Sequence, residues 1–243
     1  MDRIALTKET FKKLFGGNAL SGEGADPELM DILQKFIFGE VFHTGNLTDR
    51  QRELITIVTL ATLQTLPQLK AHTGAALNIG VTPLEIREAV YQCGPFIGFP
   101  KTLNTVSTIN EVFKERNISL PLENQSAVSE ENRFVKGKEI QDLLFEDEDG
   151  AKHLPVNFNV PRFVTEMAFG DFYTRSGLDV KTRELLTFCV LVALGAESQL
   201  KAHALANIKG GNSKETLISA MLQCIGYIGF PHALNAINVI EKL

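Results

Sequence analysis

Two sets of residues in this chain have the types and the spacing for proton chemistry. Glu53 and His72 stand 19 positions apart, Glu184 and His203 stand 19 apart as well, and each histidine follows a glutamine, Gln68 or Gln199, by four positions. A carboxylate that accepts a hydrogen bond from one imidazole nitrogen sets the tautomer and leaves the other nitrogen to donate or accept a proton near neutral pH. A glutamine one helical turn before the histidine lies on the same helix face, where its amide can hydrogen-bond an anionic oxygen. The same residues would also serve as a satisfied buried network pinning two helices together. Spacing alone leaves both readings open.

The two sets are copies. Gln68-Leu69-Lys70-Ala71-His72 returns as Gln199-Leu200-Lys201-Ala202-His203, and sliding the chain on itself by 131 positions pairs Leu47–Ile109 without a gap, with 24 identities in 63 pairs. Unrelated sequences of ordinary composition would match at roughly one position in fifteen. The chain therefore reads as a tandem duplication, with a first unit over residues 1–125 and a second over 126–243, joined through the polar, proline-broken stretch from Asn117 to about Glu131.

Each unit must place its glutamate and histidine on adjacent helices. Thr48 with Gln51 forms a capping box ahead of an apolar run, Leu54 to Leu63, that is hydrophobic on most of its circumference, as a central helix is. Asp179 caps the equivalent run, Leu185 to Leu194. A break over Gln64 to Pro67, and at Gly195 in the second copy, precedes the histidine helix, which Gly80 or Gly211 closes with a left-handed turn. Thr82-Pro83-Leu84-Glu85, matched by Ser213, starts a further helix expected to run to about Pro95, and Gly98-Phe99-Pro100, repeated as Gly229-Phe230-Pro231, breaks before a last one. Earlier in the chain, a short helix stops at Gly16-Gly17, and another starts at Pro27 and ends near Phe38-Gly39, a pair repeated as Phe169-Gly170. No segment alternates with period two, so the fold class is all-α.

Composition narrows the function. A net charge of −5 leaves no basic footprint for nucleic acid, and no apolar run approaches the length of a membrane span. The start at Met1-Asp2-Arg3-Ile4 lacks the apolar core of a signal peptide, so the cytoplasm is the expected compartment. Cys93, Cys189 and Cys224 have no metal-ligand spacing, and Cys93 and Cys224 occupy equivalent apolar positions, the usual setting of a packed free thiol. The acidic run from Glu146 to Asp149 lacks the alternating ligands of a calcium loop and reads as a solvated turn. No metal site is expected.

The order Arg52-Glu53-Leu54, Gln68 to His72, Gly80, Thr82 to Glu88 and Ile97-Gly98-Phe99-Pro100 resembles the carboxymuconolactone decarboxylase family. So does Arg183-Glu184-Leu185, Ala202-His203, Gly211 and Gly229 to Asn235 in the second unit. The resemblance implies the all-helical alkylhydroperoxidase-D-like fold, here as two fused units, and assembly about a three-fold axis, so that a fused pair would form a homotrimer mimicking a hexamer. In the peroxidase branch of that fold a C-x-x-C pair precedes the histidine by seven and four residues. Those positions hold Thr65 and Gln68, and Ala196 and Gln199, so the two-thiol mechanism cannot run. The decarboxylase branch removes carbon dioxide from 4-carboxymuconolactone without a cofactor. On that template His72 and His203 are the acid/base groups, Glu53 and Glu184 orient them, and Gln68 and Gln199 bind a small anionic lactone or keto acid. A peroxidase-like protein using a single cysteine and a non-catalytic oligomeric scaffold are the alternatives.

Overall fold

The computed structural model describes residues 2–145 and 158–243. Within them every regular element is helical and no strand occurs. The acidic run at 146–149 lies outside the described residues.

The first unit comprises α1 (Arg3–Phe15), α2 (Pro27–Gly39), a 3₁₀ turn (Val41–His43), α3 (Asp49–Leu63), α4 (Leu66–Asn78), α5 (Pro83–Ile97) and α6 (Phe99–Glu115). The second comprises α7 (Arg133–Leu144), α8 (Val160–Phe163) running on as a π-helical segment (Val164–Tyr173), then α9 (Val180–Leu194), α10 (Glu197–Lys209), α11 (Lys214–Ile228) and α12 (Phe230–Glu241). The starts of α3, α4, α5 and α6 recur, at the 131-residue offset, as the starts of α9, α10, α11 and α12.

Local chemistry accounts for the boundaries. The Thr48 hydroxyl accepts from the Gln51 amide while the Gln51 side chain accepts from the Thr48 amide, and Thr82 and Glu85 make the same reciprocal pair. Asp179 accepts from the Thr182 amide at 2.7 Å and Ser213 from that of Thr216 at 3.1 Å. Gly80 and Gly211, at φ 87° and 94°, turn the chain out of α4 and α10 through the left-handed region.

Two boundaries depart from expectation. α4 begins at Leu66, so the break is only Gln64 and Thr65, with Pro67 tolerated in the first turn where its missing N–H costs nothing. α5 runs through Pro95 to Ile97, because a proline in the last turn forfeits one hydrogen bond while the packed face on either side holds the helix. The repeated pair Phe169-Gly170 lies inside the π-helical segment, which continues to Tyr173, whereas α2 ends at Gly39.

The units do not fold around separate centres. α3 and α9 pack against each other, α11 crosses onto α3 and α5 onto α9. A core shared by both units results, joining Leu54, Ile57, Val58, Ile86 and Val90 to Leu185, Phe188, Leu191, Leu217 and Met221, all nearly inaccessible to solvent, beside two smaller apolar clusters around Phe38 and Phe169. The near-complete apolar circumference of α3 and α9 is thereby explained, since each is covered by helices of both units.

Candidate active site

Glu53 projects from α3 and His72 from α4, and the hairpin between them brings His72 Nδ1 to 2.9 Å from Glu53 Oε2. In the second unit His203 Nδ1 lies 2.7 Å from Glu184 Oε1. Both glutamates are inaccessible to solvent and His72 is 7% exposed. With Nδ1 committed to a carboxylate, Nε2 is the ring nitrogen left for proton transfer in each site.

Behind each pair a polar clasp ties the units together. Arg52 donates from Nη1 to Gln223 Oε1 at 3.0 Å, and Gln223 Nε2 donates to Thr56 Oγ1 at 3.1 Å. At the equivalent positions Arg183 Nη1 donates to Gln92 Oε1 at 3.3 Å and Gln92 Nε2 to Thr187 Oγ1 at 3.1 Å. Each unit's glutamine thus satisfies the other unit's arginine and threonine, next to the other unit's glutamate. Desolvation lowers the pKa of both arginines, and for Arg183 the opposing influence is Glu88. Glu88 Oε2 accepts from Arg175 at 2.9 Å and from Arg183 at 3.1 Å; Ser219 holds the equivalent place in the second unit.

The aromatic shells are also shared. His72 meets Phe15 and Tyr227 edge-on, at centroid separations of 5.5 and 5.6 Å, and His203 meets Phe145 and Phe96 at 5.1 and 6.1 Å. Tyr227 and Phe96 occupy equivalent positions, and each reaches into the site of the opposite unit.

Here the two sites differ. In the second, the Tyr173 hydroxyl donates to Glu184 Oε2 at 2.5 Å and lies 2.8 Å from Thr187 Oγ1, which occupies every polar atom of that carboxylate. Burial and then the Glu184 charge raise the Tyr173 hydroxyl well above the usual phenol range. In the first, Phe42 stands where Tyr173 stands in the second, and Glu53 Oε1 has no hydrogen-bond partner among the described residues. The Tyr227 hydroxyl, buried beside Glu53, makes no bond of full hydrogen-bond geometry either, though the Thr56 hydroxyl lies near enough to interact with it.

Gln68 and Gln199 lie on α4 and α10 one turn before the histidines, both exposed; Gln199 accepts a bond from Ser198. Lys70 is a surface residue paired with Glu115. All three cysteines are buried. Burial pushes the Cys93 thiol up, and its hydrogen bond with Cys224, then burial, does the same for Cys189, the reverse of what a reactive thiolate needs. Among the described residues no cluster of three or more His, Cys, Asp or Glu is placed to hold a metal, and no helix is long and apolar enough to cross a membrane. The clefts at Glu197/Asn235, Lys70/Arg116 and Arg87/Lys114 do not include either histidine.

Sequence spacing identified both Glu–His pairs. It missed Tyr227, Tyr173, the phenylalanines and the Arg–Gln–Thr clasp. The clasp left a trace, since Arg, Thr and Gln are identical at both copies of their positions.

Comparison with known proteins gives the same reading of the chain. A 4-carboxymuconolactone decarboxylase of Acinetobacter baylyi is 30% identical over 124 residues, covering 48% of this chain and 90% of that protein. Nitrosuccinic acid decarboxylase npaB of Metarhizium robertsii is 30% identical over 95 residues, 37% of this chain and 66% of the relative. An uncharacterised 15.0 kDa protein of Paracoccus denitrificans is 30% identical over 86 residues, 35% of this chain and 64% of its own length. The profile of the Carboxymuconolactone decarboxylase family matches residues 27–111 and again residues 159–242. With both units matched, and with each holding a Glu–His pair on one helical hairpin, the chain belongs to the carboxymuconolactone decarboxylase family as a tandem two-unit member.

Proposed function

We propose that this protein is a cofactor-independent decarboxylase acting on a small anionic lactone or keto acid. The observation that carries the proposal is the Glu–His pair, present twice at 2.9 and 2.7 Å in a chain whose three thiols are all buried. Two relatives named as decarboxylases support it. In a carboxylated lactone, as in nitrosuccinic acid, an electron-withdrawing group can accept the electron pair left by departing carbon dioxide. The carbon–carbon bond to the carboxylate breaks, carbon dioxide leaves, the pair delocalises onto the acceptor oxygen, and the imidazolium Nε2 returns a proton to carbon. The glutamate on Nδ1 fixes the tautomer and holds the ring in place. Gln68 and Gln199, on the same helix faces, are assigned to the substrate's anionic oxygens.

Replacing His72 and His203 together by alanine should lower decarboxylation of 4-carboxymuconolactone by about 10²–10⁴ with the fold retained by circular dichroism. Serine at Cys93 and Cys224 should leave it within about two-fold. Unchanged turnover in the double histidine variant would point to a scaffold, and loss with the cysteine variants to thiol chemistry.

Assembly belongs to the same proposal. Phe99, Leu103 and Leu63 are exposed, and so are their equivalents Phe230, Leu234 and Leu194. Two copies of one apolar patch on one chain suit the closed three-fold arrangement of fused units.

A further inference from the structure

The two sites are not equivalent in the hydrogen bonds they leave unmade. Buried polar atoms are nearly always partnered, and an orphan costs the free energy of its desolvation. In the second unit the chain Gln92, Thr187, Tyr173, Glu184, His203 is closed end to end. In the first, Gln223 bonds Thr56 and His72 bonds Glu53, but the buried Glu53 Oε1 is unpaired among the described residues, and the buried Tyr227 hydroxyl makes no bond of full geometry, with the Thr56 hydroxyl near enough to interact with it. Both flank one imidazole, Tyr227 edge-on to His72 and Glu53 bonded to it. The Tyr227 hydroxyl can donate, which suits an oxygen of an anionic lactone or keto acid, whereas Oε1 can only accept.

From this we infer that the first-unit site is the one built to bind substrate, and that Tyr227, supplied by the second unit, is a catalytic residue that donates its hydroxyl hydrogen bond to the oxygen on which charge develops. The inference rests on the acid/base reading above and adds to it a residue and a choice of site. Geometry gives the reason for the division of labour. A phenol beside a buried imidazole can hold an enolate oxygen while Nε2 protonates carbon, and the Phe15 ring, edge-on to His72 at 5.5 Å, adds apolar cover to the imidazole. Burial, then the neighbouring Glu53, raises the Tyr227 hydroxyl above the ordinary phenol range, so it stays protonated and able to donate. In the second unit Phe96 offers no donor at that position, and Tyr173 spends its own hydroxyl on Glu184.

The test uses the full chain, three variants and two readouts. Turnover of 4-carboxymuconolactone is measured, and binding of muconolactone, the same skeleton without the departing carboxylate, is followed on the ring-proton NMR signals of His72 and His203, assigned with single histidine variants. Tyr227→Phe should lower kcat by about 10²–10³ with KM changed less than about three-fold, the pattern of a lost transition-state donor. Phe42→Tyr, which places beside Glu53 the hydroxyl that Tyr173 places beside Glu184, should raise thermal stability by giving Oε1 a partner; no rise would mean that Oε1 is already satisfied and the two sites are equivalent. Tyr173→Phe, which opens the second site's network, should lower thermal stability, and His72 should remain the first histidine to respond to muconolactone. Muconolactone should shift the His72 signals first.

Turnover that survives Tyr227→Phe, or muconolactone that shifts His203 while leaving His72 in place, overturns the inference and leaves the lyase reading standing. A wild-type chain that does not decarboxylate the lactone overturns the lyase reading; the binding site is then still supported if the His72 shifts require Tyr227, and overturned if they do not.

Discussion

At the scale of single residues, the most consequential charge outside the candidate sites is Glu88. Its carboxylate is inaccessible to solvent and is held by Arg175 and Arg183. Burial by itself raises its pKa, but the hydrogen bonds and charges of the two arginines outweigh burial and the net position is below the usual carboxylate range. A carboxylate depressed in the folded state contributes stability that is complete above its unfolded pKa of about 4.3 and is lost as pH falls through the folded value. The urea midpoint should therefore hold steady from pH 7 to about pH 5 and fall below about pH 4. Glu88→Gln should flatten part of that acid fall, while costing about 3–5 kcal/mol at pH 7 because the buried Arg183 and the partly buried Arg175 lose their counter-charge. An acid profile unchanged by the substitution would mean that other carboxylates dominate. Residue-scale legibility was uneven for a physical reason. Glu53 and His72 sit on one hairpin, so their separation in sequence determines their approach in space, and the second copy repeats it. Tyr227 reaches His72 from another unit and its repeat partner is Phe96, so neither spacing nor internal identity marks it.

At the scale of elements, caps and glycine turns were legible because their chemistry is local, whereas the passage of α5 through Pro95 and the π-helical stretch before Tyr173 depend on what packs against them. Two glycines at equivalent positions set how closely neighbouring helices approach. A Cβ on Gly39 would stand 2.8 Å from the Arg3 carbonyl oxygen and closer still to the Thr7 hydroxyl, and one on Gly170 would stand 2.5 Å from the Arg133 carbonyl oxygen. Backbone cannot yield as a flexible side chain does. Gly39→Ala and Gly170→Ala should each cost about 1–3 kcal/mol by overpacking. That corresponds to a fall of several degrees in Tm for a chain of this size. Gly80→Ala meets no atom within 4 Å and bears only the strain of its φ of 87°, so it should cost about 1–2 kcal/mol with no displacement of α4. Calorimetry of the three variants separates crowding from conformational strain. If Gly170→Ala matched wild type, α7 would have to slide on the π-helical segment freely, and the Tyr173–Glu184 bond should then lengthen.

At the scale of the molecule, the duplication was plain in the letters, but that the two copies close over a shared core was not, since a repeat states likeness and says nothing of docking. The exposed Phe99, at 54%, and its equivalent Phe230, at 55%, give each unit the same uncovered apolar corner. Sedimentation at micromolar concentration should show a trimer, and Phe99→Glu with Phe230→Glu should convert it to monomer; a monomeric wild-type chain would remove the assembly proposal. One feature of the interior bears on the history of the molecule. Wherever identical single units associate, any substitution arrives in every site at once, so a tyrosine useful on one side of an imidazole must be tolerated on all of them. Joining two units in one chain ends that obligation. Because Gln92 and Phe96 line the second Glu–His pair while Gln223 and Tyr227 line the first, each half is heritably responsible for its neighbour's surroundings, and selection on one candidate site would be recorded in the other half of the gene.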